Sequence, residues 1–382
     1  MRIGDQSARE LEAALIQHVR THVGVSRSEL ARRMELSPST VGQYVDRLVS
    51  RGLLQEGQRS NPASGRPATR LNLNPSAGHF VGVDFEARQI WVTVVDFAQS
   101  CLAQMKAPLI LSDTAEDVIV KIVQLISNVM EGHGPLLGIG VGTPGVVDLS
   151  RGIGLHYQFI AGWKDVPLQQ RLADAFAVPV ALENNIRAMA LAEGLFGQGR
   201  GIQDFICLGI RSGIAAGVFV DGRLHSGPNN LAGEIGSWPC DRGATLEQLA
   251  SFSALTEILE EAVRAGEPTC LKLRRNCVQV DDVLEALRRG DRLVMDVFWQ
   301  AGQVVGKVVA QMNLLLNPRR IIITGPLAEF ESQFIAAIRE TVEPLVQPLH
   351  SSMPLVVGSQ LGEFAGALGG AALAVRRWSP SR

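Results

Sequence analysis

Between Pro38 and Gly52 the residue types sort by helical spacing into two chemistries. Val41, Val45 and Leu48 fall on one apolar stripe, the side a helix buries. Ser39, Gln43 and Arg47 fall on another side, with Thr40 and Tyr44 beside them. Hydroxyls and an amide near a helix N-terminus, with arginine further on, are donors and acceptors suited to base edges in a DNA major groove. Downstream, GLLQEGQRSNPASGRPATRLNLN reads as strand, polar tip, strand, which makes a wing. The wing carries Arg59, Arg66 and Arg70, and Gly65 and Pro67 bracket Arg66. An arginine on so stiffened a loop suits a narrow minor groove.

Those side chains need a scaffold, and the preceding residues supply one. Leu11, Leu15 and Val19 repeat at helical spacing, and Gly24 closes that first helix. Ser26-Arg27-Ser28-Glu29 has the form of a capping box, in which Ser26 accepts from the amide of Glu29 and the Glu29 carboxylate reaches back. The second helix is expected to bury Leu30, Ala31 and Met34. After a short turn, Ser37 suits the N-cap of the third helix, and Pro38 its first position, where no amide donor is needed. Residues 1–75 are therefore expected to form a winged helix-turn-helix DNA-binding domain. Such domains commonly read two half-sites, so a homodimer is expected, with pairing of dimers into tetramers left open.

Charge is distributed to match. The 382 residues sum to −2, but residues 1–70 carry +4 and the remainder −6. A basic head on an acidic body suggests that only the head meets phosphate. The chain is 46% hydrophobic and 19% charged, an ordinary globular composition long enough for two or three folding units. The most apolar run, FICLGIRSGIAAGVFV, is broken by Arg211 and its glycines, so no membrane span is expected. The N-terminus has acids at Asp5, Glu10 and Glu12 and lacks an apolar signal core. Cys101, Cys207, Cys240, Cys270 and Cys277 form no CxxC pair and fit reduced thiols. A cytoplasmic location is the expectation.

From residue 79 the texture changes. HFVGVDF and QIWVTVVDF read as paired strands, followed by a helix around Asp113–Met130 and the strand LLGIGVG. A strand at 178–182 leads to Glu183-Asn184-Asn185, where the helix IRAMALAEGLF begins. DFICLGI and IAAGVFVDGRL start the pattern again. Strand pairs followed by helices, twice over, point to an α/β architecture with two related lobes.

In this order the chain carries GRPATRLNLN, VGVDF, IGVGTPGVVD, the Trp of AGWKDVPL, VALENNIRAMALAEGLFG, LHSGPNNLAGEIG and GEFAGALGGAALAV. With the head, this ordered set resembles the ROK family of repressors and sugar kinases, specifically its repressor branch, over essentially the whole chain. The resemblance implies an actin/hexokinase-like two-lobe fold behind the winged helix-turn-helix. The first lobe would take residues 79–185 with a C-terminal helix at 362–378. The second lobe, with the sugar cleft and dimer contacts, would take 186–361.

The resemblance also implies that the kinase chemistry is lost. Family kinases resemble Asp-x-Gly-x-Thr/Lys at their first phosphate loop, whereas this chain has Asp84-Phe85-Glu86-Ala87-Arg88. Glu86 replaces the small glycine and adds a negative charge where phosphates would sit. The second loop, expected as Gly-Thr-Gly-Ile-Gly, reads Arg211-Ser212-Gly213-Ile214-Ala215-Ala216. Asn185 stands where the family has its catalytic Asp, and losing a positioned base costs on the order of 10²–10⁴-fold. No catalytic residue is therefore expected. As sugar contacts the resemblance implies Asn184, Asn185, Glu234 and Glu247, with Ser237 in place of a family His. That substitution and the residues Trp238, Cys240 and Thr245 leave one of four zinc ligands, so neither zinc nor ATP is expected as a cofactor.

Three functions follow for comparison. The first is a DNA-binding regulator of sugar-metabolism genes, a repressor, whose lobes sense a sugar or sugar derivative. The second is a DNA-binding dimer without a small-molecule ligand. The third is an active sugar kinase that also regulates.

Overall fold

The computed structural model describes residues 3–59, 69–274, 277–347 and 354–380. The head runs α1 (Ile3–Thr21), β1 (Val25–Ser26), α2 (Arg27–Arg33), α3 (Pro38–Ser50), β2 (Leu54–Arg59) and β3 (Thr69–Leu73). Both expected caps are formed. Ser26 Oγ accepts from Glu29 N at 3.3 Å while Ser26 N donates to Glu29 Oε2 at 2.9 Å. Ser37 Oγ accepts from Thr40 N at 3.1 Å, with Pro38 opening α3. β3 lies between β1 and β2, giving the small sheet of a winged helix. Leu15, Leu30, Val41, Val45, Leu48 and Leu71 are fully buried beneath it.

The body opens with β4 (His79–Glu86), β5 (Gln89–Asp96), β6 (Cys101–Pro108), α4 (Ala115–Val129) and β7 (Leu136–Thr143). A short antiparallel sheet follows, of β8 (Val146–Asp148), β9 (Ile153–His156) and β10 (Lys164–Val166). Then come α5 (Leu168–Phe176), β11 (Val180–Asn184) and α6 (Asn185–Phe196). The second lobe holds β12 (Phe205–Ile210), β13 (Ile214–Val220), β14 (Arg223–His225), α7 (Leu246–Ala250), α8 (Phe252–Ala265) and α9 (Val280–Arg288). It continues with α10 (Arg292–Leu316), β15 (Arg320–Thr324), α11 (Ala336–Val346) and β16 (Leu355–Gly358), after which α12 (Ala365–Arg377) returns to the first sheet.

The two large sheets share one topology. One is ordered β11-β7-β4-β5-β6 and the other β14-β13-β12-β15-β16. In each, three consecutive strands pair antiparallel and two more join parallel to the first of them or to each other. The parallel strands are covered on both faces, which explains their runs of Val and Ile.

The two-residue period of β4 decides what reaches the centre. Val81, Val83 and Phe85 join the core under α4. Phe80, Gly82 and Asp84 take the opposite face, toward α12. A Cβ on Gly82 would stand 1.8 Å from the Ala367 carbonyl oxygen, so only glycine lets α12 lie so close. α6 packs on α12 and also on β12 and β13, so the lobes meet through a helix pair.

Head and body share one apolar cluster. Leu15, Ile16 and Val19 of α1 join Phe80, Val95, Phe97 and Val375, with Trp378 against them. Trp378 sits edge-on to Phe97 at 5.0 Å between ring centroids. Arg20 enters this junction, 6% exposed, donating to the Val375 carbonyl at 3.5 Å. Among the described residues no helix is long and apolar enough to cross a membrane.

Candidate nucleic-acid interface and interlobe cleft

On α3 the burial of Val41, Val45 and Leu48 turns Ser39, Gln43 and Arg47 outward, all three exposed. Thr40 and Tyr44 are half-buried at the edge of that face. The hydroxyls of Ser39 and Thr40 both bond Ser37 Oγ, at 2.9 and 2.8 Å, which holds them near the helix start. The Arg47 guanidinium lies over the Tyr44 ring, 5.1 Å from its centroid. That contact orders a long side chain before any partner arrives. Arg27 is already neutralised by Asp46 at 2.7 Å and Glu56 at 2.9 Å, so it braces α3 against the wing. Arg59 ends β2 with its backbone opposite Thr69, and Arg70 is exposed on β3. The side chain of Arg59, and all of Arg66, lie outside the described residues.

The cleft begins where β11 ends. Asn184 Oδ1 accepts from the amides of Ile186 and Arg187 at 3.0 and 3.3 Å, capping α6. Its amide points at the Gly145 carbonyl at 3.4 Å. Asn185 is buried beside it, its Oδ1 accepting from Ile186 N at 2.9 Å. Glu234, Ser237 and Glu247 belong to the second lobe and are exposed to solvent. Crowding by neighbouring protein raises the Glu234 carboxyl pKa even though water reaches the residue; Arg187 opposes the rise and Glu247 adds to it. Glu234, Glu247 and Arg187 therefore share one electrostatic neighbourhood. His156 is exposed on β9.

Two arginines unassigned by sequence reasoning organise this region. Arg187 is buried, donates Nε to Glu183 Oε1 at 2.7 Å, and reaches the Asn230 carbonyl with Nη1. It thereby ties the start of α6 to the loop before Glu234. Arg211, 6% exposed, crosses between lobes to Asp84 Oδ2 at 2.8 Å and to Glu86 Oε1 at 3.3 Å. Its guanidinium also lies over Trp91 at 5.2 Å. Ser212 Oγ donates to Glu86 Oε1 at 3.1 Å. The negative charge of Glu86, expected near where phosphates would sit, is matched by Arg211. Asp84 is fully buried, and burial pushes its carboxyl up to about 6 against the pull of Arg211.

The residues do not fit a kinase's cofactors. At the two loops where the family resemblance puts nucleotide phosphates, side chains from the two lobes bond each other. At the position of the proton acceptor, Asn185 offers an amide, which cannot take up a proton. Zinc fares no better. Trp238 packs on the second lobe's core, Thr245 caps α7, and Ser237 has no ligating nitrogen or thiol, leaving only the half-buried Cys240. Among the described residues no group of three or more His, Cys, Asp or Glu side chains gathers to hold a metal.

Comparison with known proteins agrees with this division. The model described as "ROK family" matches residues 80–377, and one described as "Winged helix-turn-helix DNA-binding" matches residues 10–55. The DNA-binding transcriptional repressor Mlc of Escherichia coli is 28% identical over 91% of this chain and 88% of its own. A crystal structure of a ROK family transcriptional regulator, a homolog of that E. coli protein, has a TM-score of 0.77 over 97% of this chain and 96% of its own, at 24% identity. A ROK family glucokinase from Streptomyces griseus, in complex with glucose and AMPPNP, has a TM-score of 0.68 at 26% identity. It covers 78% of this chain and 99% of its own. Repressors and kinases thus share the body, and the head distinguishes this chain from the glucokinase. The chain belongs to the ROK family, and carries a winged helix-turn-helix domain in front of the family's two lobes.

Proposed function

We propose that the protein is a sugar-responsive transcriptional repressor: a homodimer that binds operator DNA through α3 and the wing, and whose interlobe cleft takes a sugar or sugar derivative instead of phosphorylating one. The observation that carries this reading is Arg211. Its guanidinium bonds Asp84 and Glu86 where a kinase of this fold would cradle phosphates, while Glu234 and Glu247 stay open to solvent in the same cleft. Phosphoryl transfer depends on positioned phosphate, metal and base, and these residues supply none of the three. The carboxylates and the Asn185 amide remain apt for sugar hydroxyls. Regulation then requires that the sugar bind the state off DNA more tightly than the state on it, since equal affinity shifts nothing.

A thermal-shift screen of the full chain against D-glucose, N-acetyl-D-glucosamine, D-xylose, their phosphates and ATP tests this. A ligand at about 100 times its dissociation constant stabilises by about 2.7 kcal/mol. The expected result is a shift with a sugar, none with ATP, and loss of the sugar shift in Glu234→Ala. A shift with ATP accompanied by sugar-dependent turnover would instead establish a kinase. Shifts with none of them, together with operator binding indifferent to each, would leave a DNA-binding dimer whose body serves only assembly.

A further inference from the structure

The β12–β13 turn does two things at once. Outward, Arg211 and Ser212 bond Asp84 and Glu86 of the first lobe. Inward, the turn touches Glu247: Ile214 N donates to Glu247 Oε2 at 3.1 Å. A Cβ on Gly213 would fall 2.6 Å from that same oxygen, so the turn lies directly against the carboxylate. The Arg211 carbonyl also accepts from Phe252 N at 2.9 Å, which fixes the turn to the start of α8, one residue beyond Ser251. Ser251 N in turn donates to the Glu247 carbonyl at 3.1 Å. Glu247 is thus held on both sides by a turn whose only reach into the other lobe, among the bonds above, is through Arg211 and Ser212.

We infer that Arg211 is a positioning residue of the effector cleft: by pinning the β12–β13 turn to Asp84 and Glu86, it sets where Glu247 stands and keeps the lobes in the arrangement that receives the sugar. A phosphate cradle has become an internal clasp. The guanidinium occupies the place of an outside partner and fixes the geometry without one. Replacing a buried ion pair as a unit by uncharged groups is often neutral for stability, so the stability of the fold does not require this one. This inference rests on the sugar reading of the cleft only for its second consequence. The first, that the clasp orders Glu247, holds with no ligand present.

Two variants of the full chain test it. Glu86→Gln weakens one arm while leaving Asp84 paired. Asp84→Asn combined with Arg211→Met removes both buried charges together, so that neither is stranded. The first measurement is hydrogen–deuterium exchange without ligand, reading the Ile214 amide, with the β15 core as internal reference. The expected result is Ile214 exchange faster by about tenfold or more in the double variant, less in Glu86→Gln, and β15 unchanged, as for a local opening. The second is calorimetric affinity for whichever of D-glucose, N-acetyl-D-glucosamine and D-xylose shifts the wild type. If the competent arrangement falls to about a tenth of molecules, affinity falls about tenfold. Unchanged Ile214 exchange in the double variant overturns the inference, as does accelerated exchange with full sugar affinity. Exchange raised throughout the second lobe means that the clasp holds the fold rather than Glu247, and overturns it as well. If no sugar binds the wild type, the reading of the cleft fails, and Ile214 exchange alone still decides whether Arg211 orders Glu247.

Discussion

Replacing Arg20 by Met is expected to make the protein more stable. Arg20 sits at the junction of head and body, where its Nε and Nη2 are buried with no hydrogen-bond partner among the described residues. What it has is one long bond to the Val375 carbonyl, at 3.5 Å, and the Phe97 ring at 5.7 Å from its guanidinium carbon. Burial lowers its pKa from the ordinary guanidinium range to about 10. At 1.36 kcal/mol per pKa unit, the folded state disfavours the cation by about 3 kcal/mol. The long bond and the ring contact give back about 1–2 kcal/mol, and both vanish in the variant. Methionine keeps an unbranched aliphatic stem beside Phe97 and Val375, so little apolar contact is lost. The net expectation is a gain of about 1–2 kcal/mol, read as a higher urea midpoint with an unchanged slope at pH 7 and 25 °C. Tryptophan fluorescence is a suitable probe, because Trp378 lies edge-on to Phe97 in the same cluster. A loss of stability greater than about 1 kcal/mol would refute the reasoning, because it would mean that the guanidinium is satisfied in the folded protein rather than stranded.

Three further outcomes follow from other sites. Gln43→Ala should cost about 1–3 kcal/mol against the best operator selected from a random DNA library and flatten the preference at one base position, while leaving binding to unrelated duplexes unchanged; equal loss on all sequences would place Gln43 on the phosphate backbone. Leu48→Ala, at a fully buried position beneath α3, should destabilise the head by about 3 kcal/mol and weaken operator binding without changing sugar affinity, measured by denaturation and calorimetry. Asp84 titrates near 6 when folded against 3.8 as an ordinary carboxyl, so its contribution is neutral below about pH 4 and turns unfavourable as pH rises to about 6, by up to about 3 kcal/mol. Urea midpoints at pH 4.5 and 7 should therefore differ between wild type and Asp84→Asn, with the wild type losing more stability on going to pH 7; an identical pH dependence in the two would mean that Arg211 holds Asp84 ionised throughout.

Local features of the fold were legible in the sequence because their physics is local. The Ser26–Glu29 box and the Ser37–Pro38 start of α3 join residues three apart, so spacing alone specifies the bonds that form. The outward face of α3 followed from the same periodicity that buried Val41, Val45 and Leu48. The duplicated lobes were legible as strand pairs followed by helices, and the shared order of the two sheets carries that pattern into three dimensions. Asn184 was read as a sugar contact; in the structure its side chain caps α6, a role the same Asn could have announced, since Asn is a strong N-cap residue.

The clasp was not legible, and the reason is physical. Arg211 and Asp84 lie 127 residues apart, one in the β12–β13 turn and the other on β4 of the other sheet, and neither local spacing nor composition couples them. The sequence shows only two damaged loops, with Glu86 where a phosphate approach needs a small residue and Ala215 in place of a glycine in the loop that Arg211 opens. Each change taken alone reads as loss. Together the two loops form a matched pair, because the cation of one meets the anion of the other at 3.3 Å. A negative charge at Glu86 without Arg211 would sit beside buried Asp84 and push its carboxyl further up, as Glu86 already does in part. Arg211 without Glu86 would be held by one carboxylate instead of two. The charged residues at the two loops are therefore the ones through which the lobes bond each other directly.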